Sequence, residues 1–147
     1  MSDKGQLFVV GTPIGNLEDI TLRAISTLQN VQIILAEDTR NSKKLLDAHN
    51  IDTKMISYHD HSSEKEIKKI VNLLLEGQDL ALISDAGTPT ISDPGYGLIR
   101  DCIKHDISIV PIPGASSITA AMSVRITVRL IYVYWFFTSK KRKIKKN

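Results

Sequence analysis

One cysteine, Cys102, leaves no internal disulfide, and with only four histidines beside it no cysteine-rich zinc site can be assembled. The expected compartment is a reducing cytoplasm. No apolar run reaches the length that spans a bilayer, and Met1-Ser2-Asp3-Lys4-Gly5 lacks the basic start and apolar core of a signal peptide, so no membrane partner is expected. The common phosphate fingerprints are missing as well. There is no G-x-x-x-x-G-K-[ST], and Gly95-Tyr96-Gly97 is followed by Arg100 where a dinucleotide loop needs its third glycine, which argues against a kinase or a dehydrogenase. Aromatics are scarce too: Phe8, Tyr58 and Tyr96 are the only ones before Val124.

What is present falls into two parts. The 147 residues, 42% hydrophobic and 24% charged, suffice for one globular domain and not for two ordinary ones. The formal net charge of +3 hides an asymmetry. Met1 to Val124 holds 11 Lys and Arg against all 16 Asp and Glu, a net of −5, whereas the last 23 residues hold eight basic residues, no acid and five of the eight aromatics. The expected organisation is an acidic domain over 1–124 and an aromatic-basic tail over 125–147 of different origin.

Within the acidic part, short β-branched runs alternate with helical periods, the pattern of an α/β domain built on a mostly parallel sheet. Five strands are predicted: Leu7 to Val10, Val31 to Leu35, Lys54 to Tyr58, Leu80 to Ile83 and Ile107 to Val110, the last closing at Pro111. Thr21 is placed to cap a helix presenting Leu22, Ile25 and Leu28 on one face. A second helix spans about Asn41 to Ala48. Ser63 with Glu66 forms a capping-box pattern ahead of Ile67, Ile70, Val71, Leu74 and Leu75, and Gly77 stops that helix. Further helices pass through Leu98, Ile99 and Ile103, where Cys102 reads as a packed small residue, and through Ile118 and Met122, capped by Ser116 or Ser117. Leu80-Ala81-Leu82-Ile83 is apolar throughout, as a strand covered by helices on both faces should be.

Ligands of open α/β sheets gather at the carboxyl ends of the strands, and four loops there are unusual. They are Gly11-Thr12-Pro13-Ile14-Gly15-Asn16-Leu17, Ala36-Glu37-Asp38-Thr39-Arg40, the stretch from Ser84 through Asp85, Ala86, Gly87, Pro89 and Ile91 to Gly95, and Pro113-Gly114-Ala115-Ser116-Ser117. Glycines at such positions let backbone approach a ligand, and exposed amides suit a nucleoside-like cofactor. Singly, each loop needs only to turn the chain; together at one edge they predict a binding site. Glu37 and Asp38 are candidate general bases, with Arg40 holding a phosphate or carboxylate; the alternative is a helix cap at Asp38 with Arg40 as its ion-pair partner. His59-Asp60-His61 lacks further ligands, so no metal is expected, and Asp85 and Asp93 flank the glycine-rich loop as turn formers or ribose acceptors.

Taken together, Val10 to Asp19, Ala36-Glu37-Asp38-Thr39-Arg40, Tyr58-His59-Asp60-His61, Ser84 to Gly95 and Pro113-Gly114-Ala115-Ser116 resemble the small-subunit ribosomal RNA methyltransferase I family of the tetrapyrrole-methylase-like superfamily. The likeness covers about Gly5 to Val124. It implies S-adenosyl-L-methionine as cofactor and methyl transfer to the ribose 2′-hydroxyl of a cytidine in the decoding region of 16S rRNA, with the 30S subunit as partner and a homodimer as assembly. By motif position, Ser84, Asp85, Ala86, Gly87, Pro89 and Ile91, with Gly114, Ser116 and Ser117, would hold the cofactor. Gly11, Pro13 and Gly15 would line it at the reacting centre, beside Glu37, Asp38 and Arg40.

The family continues into a second domain, which this sequence lacks after Val124. Family members read Gly-Leu-Pro there and, ten positions on, Gly-Phe-Leu-Pro. Reading one base later, the codons of Arg125 to Val128 permit glycine, leucine and proline. Trp135, necessarily TGG, followed by Phe136 gives glycine, and Phe136 to Ser139 permit phenylalanine, leucine and proline. Arg125 to Asn147 is therefore expected to be a frameshifted tail, and the rival to the enzyme reading is a catalytically inactive remnant of that enzyme.

Overall fold

A computed structural model describes residues 4–59, 62–91 and 94–124. It divides into a unit over Met1–Ser117 and a second over Ile118–Asn147. In the first, strands and helices alternate as β1 (Leu7–Val10), α1 (Leu22–Asn30), β2 (Ile33–Ala36), α2 (Thr39–Ala48), β3 (Met55–Ser57), α3 (Glu64–Leu75), β4 (Leu80–Ile83), α4 (Tyr96–Lys104) and β5 (Ile109–Ile112). A further helix, α5 (Ser117–Ser123), follows. The expected tail over 125–147 lies outside the described residues.

The five strands form one sheet in the order β3-β2-β4-β1-β5, and every pairing is parallel. Parallel strands need helical crossovers, and these cover both faces. Along β4, Ala81 and Ile83 join a core with Val10, Ile34, Leu28 of α1 and Leu45 and Leu46 of α2. Leu80 and Leu82 point the other way, into a core with Leu7, Leu35, Val71 and Leu74 of α3 and Leu98 and Cys102 of α4. This two-sided burial is why the run from Leu80 to Ile83 carries no polar residue; each fully buried leucine is worth about 2 kcal/mol.

Local signals set most helix starts. The Thr21 side chain accepts the Ala24 N–H at the head of α1. Ser63 and Glu66 close a reciprocal capping box, in which Ser63 N–H donates to Glu66 Oε2 at 2.6 Å and Glu66 N–H to Ser63 Oγ at 3.3 Å. Asn50 and Asp106, both just past helix ends, take the left-handed conformation that Asn and Asp tolerate best.

Three expectations need correction. Leu22 is 87% exposed, because α1 buries Ala24 and Leu28, and two residues along a helix are about 200° of rotation away. Ile103 is likewise exposed, since α4 buries Leu98 and Cys102 instead. Strand β5 does not close at Pro111 but runs through it to Ile112. An edge strand tolerates this: Ser108 and Ile112 carbonyls accept from Leu7 and Gly11 of the β1 segment, so the alternate position, Pro111, turns its missing N–H away from the sheet.

Candidate functional site

Because all five strands run the same way, every loop that follows a strand emerges at one rim, and backbone contacts tie these loops together. Thr12 N–H donates to Gly87 O at 2.9 Å and Gly87 N–H returns to Thr12 O at 3.2 Å, joining the β1 and β4 loops. Gly87 has φ +82°, where a side chain would be strained. The β5 loop packs on the β1 loop through bare backbone: a Cβ on Gly11 would lie 2.8 Å from Gly114 N, and one on Gly114 would lie 2.8 Å from Gly11 O. The β2 loop joins through Asp38, whose N–H donates to Asp85 Oδ1 at 3.2 Å.

Asp38 caps α2. Its Oδ1 accepts from Arg40 N at 2.8 Å and Asn41 N at 3.4 Å, and the Arg40 Nε stands 3.7 Å away. The Arg40 backbone N–H, with the nearby guanidinium assisting, holds the Asp38 carboxyl below its ordinary value of 3.8. Both the cap and the ion pair weighed from the sequence are thus present. The Arg40 side chain is 92% exposed, so the pair is worth little to stability and leaves the guanidinium accessible. Glu37, one residue earlier, is half-buried.

A cavity of about 270 Å³ opens between the β1 and β4 loops and α2, lined by Thr12, Pro13, Ser42, Lys44, Ser84 and Asp85 among others. The three buried polar residues among the described residues, Thr12, Ser42 and Ser84, all line it. Thr12 Oγ1 donates to Ser84 O and Gly87 O, both at 3.2 Å, and Ser84 Oγ reaches Ala86 O and Gly87 O. Sequence reasoning included Thr12 only as part of the Gly11 to Leu17 loop and did not single out Asn41, Ser42 or Lys44. For Ser42 a signal existed: it stands three and four residues before the buried Leu45 and Leu46, on the apolar face of α2.

Residues 6–125 match the family of tetrapyrrole (corrin/porphyrin) methylases. The chain belongs to that family. Among curated relatives, the ribosomal RNA small subunit methyltransferase I of Halalkalibacterium halodurans is 53% identical over 120 residues, 82% of this chain and 42% of that protein. That of Thermotoga maritima is 50% identical over 120 residues, 54% of its length, and that of Bacillus subtilis 46% identical over 146 residues, 99% of this chain and 50% of the relative. The chain thus spans about half the length of the relatives it matches. Among solved structures, the uroporphyrin-III-C-methyltransferase of Thermus thermophilus superposes with a TM-score of 0.63 at 20% identity, covering 86% of this chain and 55% of that one, and a cobalt precorrin-4 methyltransferase with 0.57 at 20% identity, covering 80% and 49%. These likenesses show the fold.

Within this methylase fold, the remaining residues singled out from the sequence distribute around the rim. In the β4 loop Pro89 is buried, whereas Asp85, Ala86 and Ile91 are exposed. Thr90 between them sits at φ +70°, a strained conformation for a β-branched residue. Gly15, at φ +155°, has open space where a Cβ would stand. Ser116 and Ser117 lie at the head of α5. His59 Nε2 lies 2.7 Å from Ser57 Oγ, while Asp60, His61 and Asp93 lie outside the described residues. No described helix is long and apolar enough to cross a membrane.

Proposed function

We propose that this methylase rim binds S-adenosyl-L-methionine and serves methyl transfer to the ribose 2′-hydroxyl of a cytidine in the decoding region of 16S rRNA. The 30S subunit would be its partner, a homodimer its assembly and the cytoplasm its location. The observation that carries the reading is the joining of three glycine-containing loops at one rim, through the Thr12–Gly87 exchange and the Gly11–Gly114 contact. The names of the relatives supply the substrate.

The residues fit such a cofactor. Gly11 and Gly114 let the β1 and β5 loops pack backbone on backbone, and Gly15 has open space where a Cβ would stand. Exposed Asp85 suits ribose hydroxyls, and the absence of a phosphate fingerprint suits a nucleoside that carries none. The cofactor, when bound, supplies an electrophilic methyl group on a sulfonium. The chain's own work is to orient the hydroxyl and to take its proton. Glu37 and Asp38 are the candidate bases, and the capping bonds to Arg40 N and Asn41 N that lower the Asp38 pKa weaken Asp38 as a base. Arg40, accessible at the same corner, would hold a phosphate of the RNA.

The test is incubation of the chain with 30S subunits lacking the modification and methyl-labelled S-adenosylmethionine. A full-length relative should label one decoding-region cytidine, and this chain, which spans about half of such a relative, is expected to label the same cytidine only poorly; label on a different nucleotide, or none together with no cofactor binding, would overturn the reading. Cofactor binding without transfer would identify the inactive remnant. Residues 125–147 remain proposed as a frameshifted tail, which resequencing the gene from the Val124 codon tests: a base run at that point supports it, and an unbroken frame without one refutes it.

A further inference from the structure

His59 is exposed just past the carboxyl end of β3, yet both its ring and its backbone are held. Its Nε2 stands 2.7 Å from Ser57 Oγ, which restrains the ring. Its N–H donates to Ser62 Oγ at 3.0 Å and its carbonyl accepts from Ser62 N–H at 2.8 Å, closing a tight turn around it. Restraining an exposed side chain costs rotamer entropy, so an exposed ring held on two sides is a surface prepared for a ligand.

The strand register places that ring. Ala36 of β2 pairs with Ser57 of β3, and Tyr58 N–H donates to Ala36 O at 2.8 Å, so the pairing continues past β3 and His59 comes level with Asp38. Asp38 N–H in turn donates to Asp85 Oδ1, which orders the rim as His59, Asp38, Asp85 and then the Thr12–Gly87 junction. With strands about 4.8 Å apart, His59 stands two strands, or about 10 Å, outside the β4 loop and so outside the cofactor loops. Met55 packs into the core shared by α1 and α2 and Ile56 into the opposite one, so Ser57 and the ring bonded to it lie on the α2 side. There α2 carries three exposed cations, Arg40, Lys43 and Lys44, against one acid, Asp47, on a domain that is acidic overall. A flat ring beside such cations matches a nucleobase whose neighbouring phosphates are held next to it.

Resting on the rRNA-methyltransferase reading, we propose that His59 is a base-stacking platform for a nucleotide flanking the target cytidine, with its imidazole against one face of the base and the Arg40 guanidinium on an adjoining phosphate. Ser57 is then a positioning residue that holds the ring for stacking. Because every base has a stacking face, this subsite adds affinity and register to the RNA strand rather than sequence choice.

The test measures binding of a fluorescent 12-nucleotide single-stranded RNA, with the sequence around the target cytidine, to the full chain and its variants by anisotropy at rising salt. The basic residues of 125–147 attract any RNA, and that share fades with salt while stacking persists. At the higher salt His59→Ala should weaken binding about tenfold, the effect of one stacked base. His59→Phe keeps a flat ring without the hydrogen bond and should retain most of the affinity; a loss as large as that of His59→Ala would reveal charge or hydrogen bonding at work and overturn the proposal. Ser57→Ala should lose about threefold, because the ring is freed to turn.

A second series of RNAs carries an abasic site at each flanking position in turn. At one position the abasic RNA should bind the parent about tenfold more weakly than intact RNA, yet bind His59→Ala no worse than intact RNA does. Losses that simply add at every position overturn the proposal, and so does a His59→Ala chain that binds as the parent does, which leaves the histidine to its turn. Calorimetry of the parent with S-adenosylmethionine separates this proposal from the reading beneath it. Cofactor binding without a His59 effect retires the stacking platform alone. His59-dependent stacking in a chain that binds no cofactor keeps the platform and retires the methyltransferase reading.

Discussion

Thr12 and Gly87 exchange main-chain hydrogen bonds in both directions, and the Thr12 hydroxyl adds a third to the same glycine's carbonyl, at 3.2 Å. Two loops separated by most of the domain's sequence are thereby held as one surface. Thr12→Val preserves shape and deletes the hydroxyl, and should cost about 1 kcal/mol in urea unfolding, while Thr12→Ser should recover most of it.

Gly11 and Gly114 meet without room for a methyl group on either side. Gly11→Ala should force the β1 and β5 loops apart and cost about 1–3 kcal/mol. Calorimetry should show S-adenosylmethionine affinity falling with it. Adding Gly114→Ala should cost less than its single-variant effect, because both methyls open the same contact.

Asp38 gives a pH dependence of defined sign. Its carboxyl is held below the ordinary 3.8, first by the Arg40 backbone N–H, so it contributes stability above that value and loses the contribution as pH falls through the depressed value. Asp38→Asn keeps a good cap without a titrating group. The gap in urea midpoint between parent and variant should be constant near neutrality and narrow below about pH 3.8.

Cys102 is fully buried on α4, and burial pushes its thiol up to about 12. At pH 8 the native protein should resist thiol-labelling reagents and become labelled at one site once denatured, as mass spectrometry would record. Cys102→Ser should cost about 1–3 kcal/mol, since it places a hydroxyl among Leu74 and Leu98.

Much of this architecture could be read from the letters. The Ser63–Glu66 box, the apolar Leu80 to Ile83 and the Thr21 cap act over a few residues, so their patterns survive in sequence. Helix faces were less legible: Leu22 fits a three-residue spacing with Ile25 and Ile103 a four-residue spacing with Ile99, yet both stand outside the buried stripes that packing selects. Pro111 looked like a terminator because its neighbours in the sheet, which spare its amide, belong to distant sequence. At the rim, the glycine loops announced themselves by composition. The α2 side did not, because a serine among leucines becomes informative only once its hydroxyl is seen to lack a partner.

Pro111 has one more consequence. On β5 the alternation that points Pro111 outward points Pro113 outward as well, so the open flank presents two consecutive positions with no amide hydrogen to offer. An incoming strand would find carbonyls there and almost no donors. The opposite flank, β3, is three residues long. Among the described residues, neither border of the sheet is a template on which further strands would readily add.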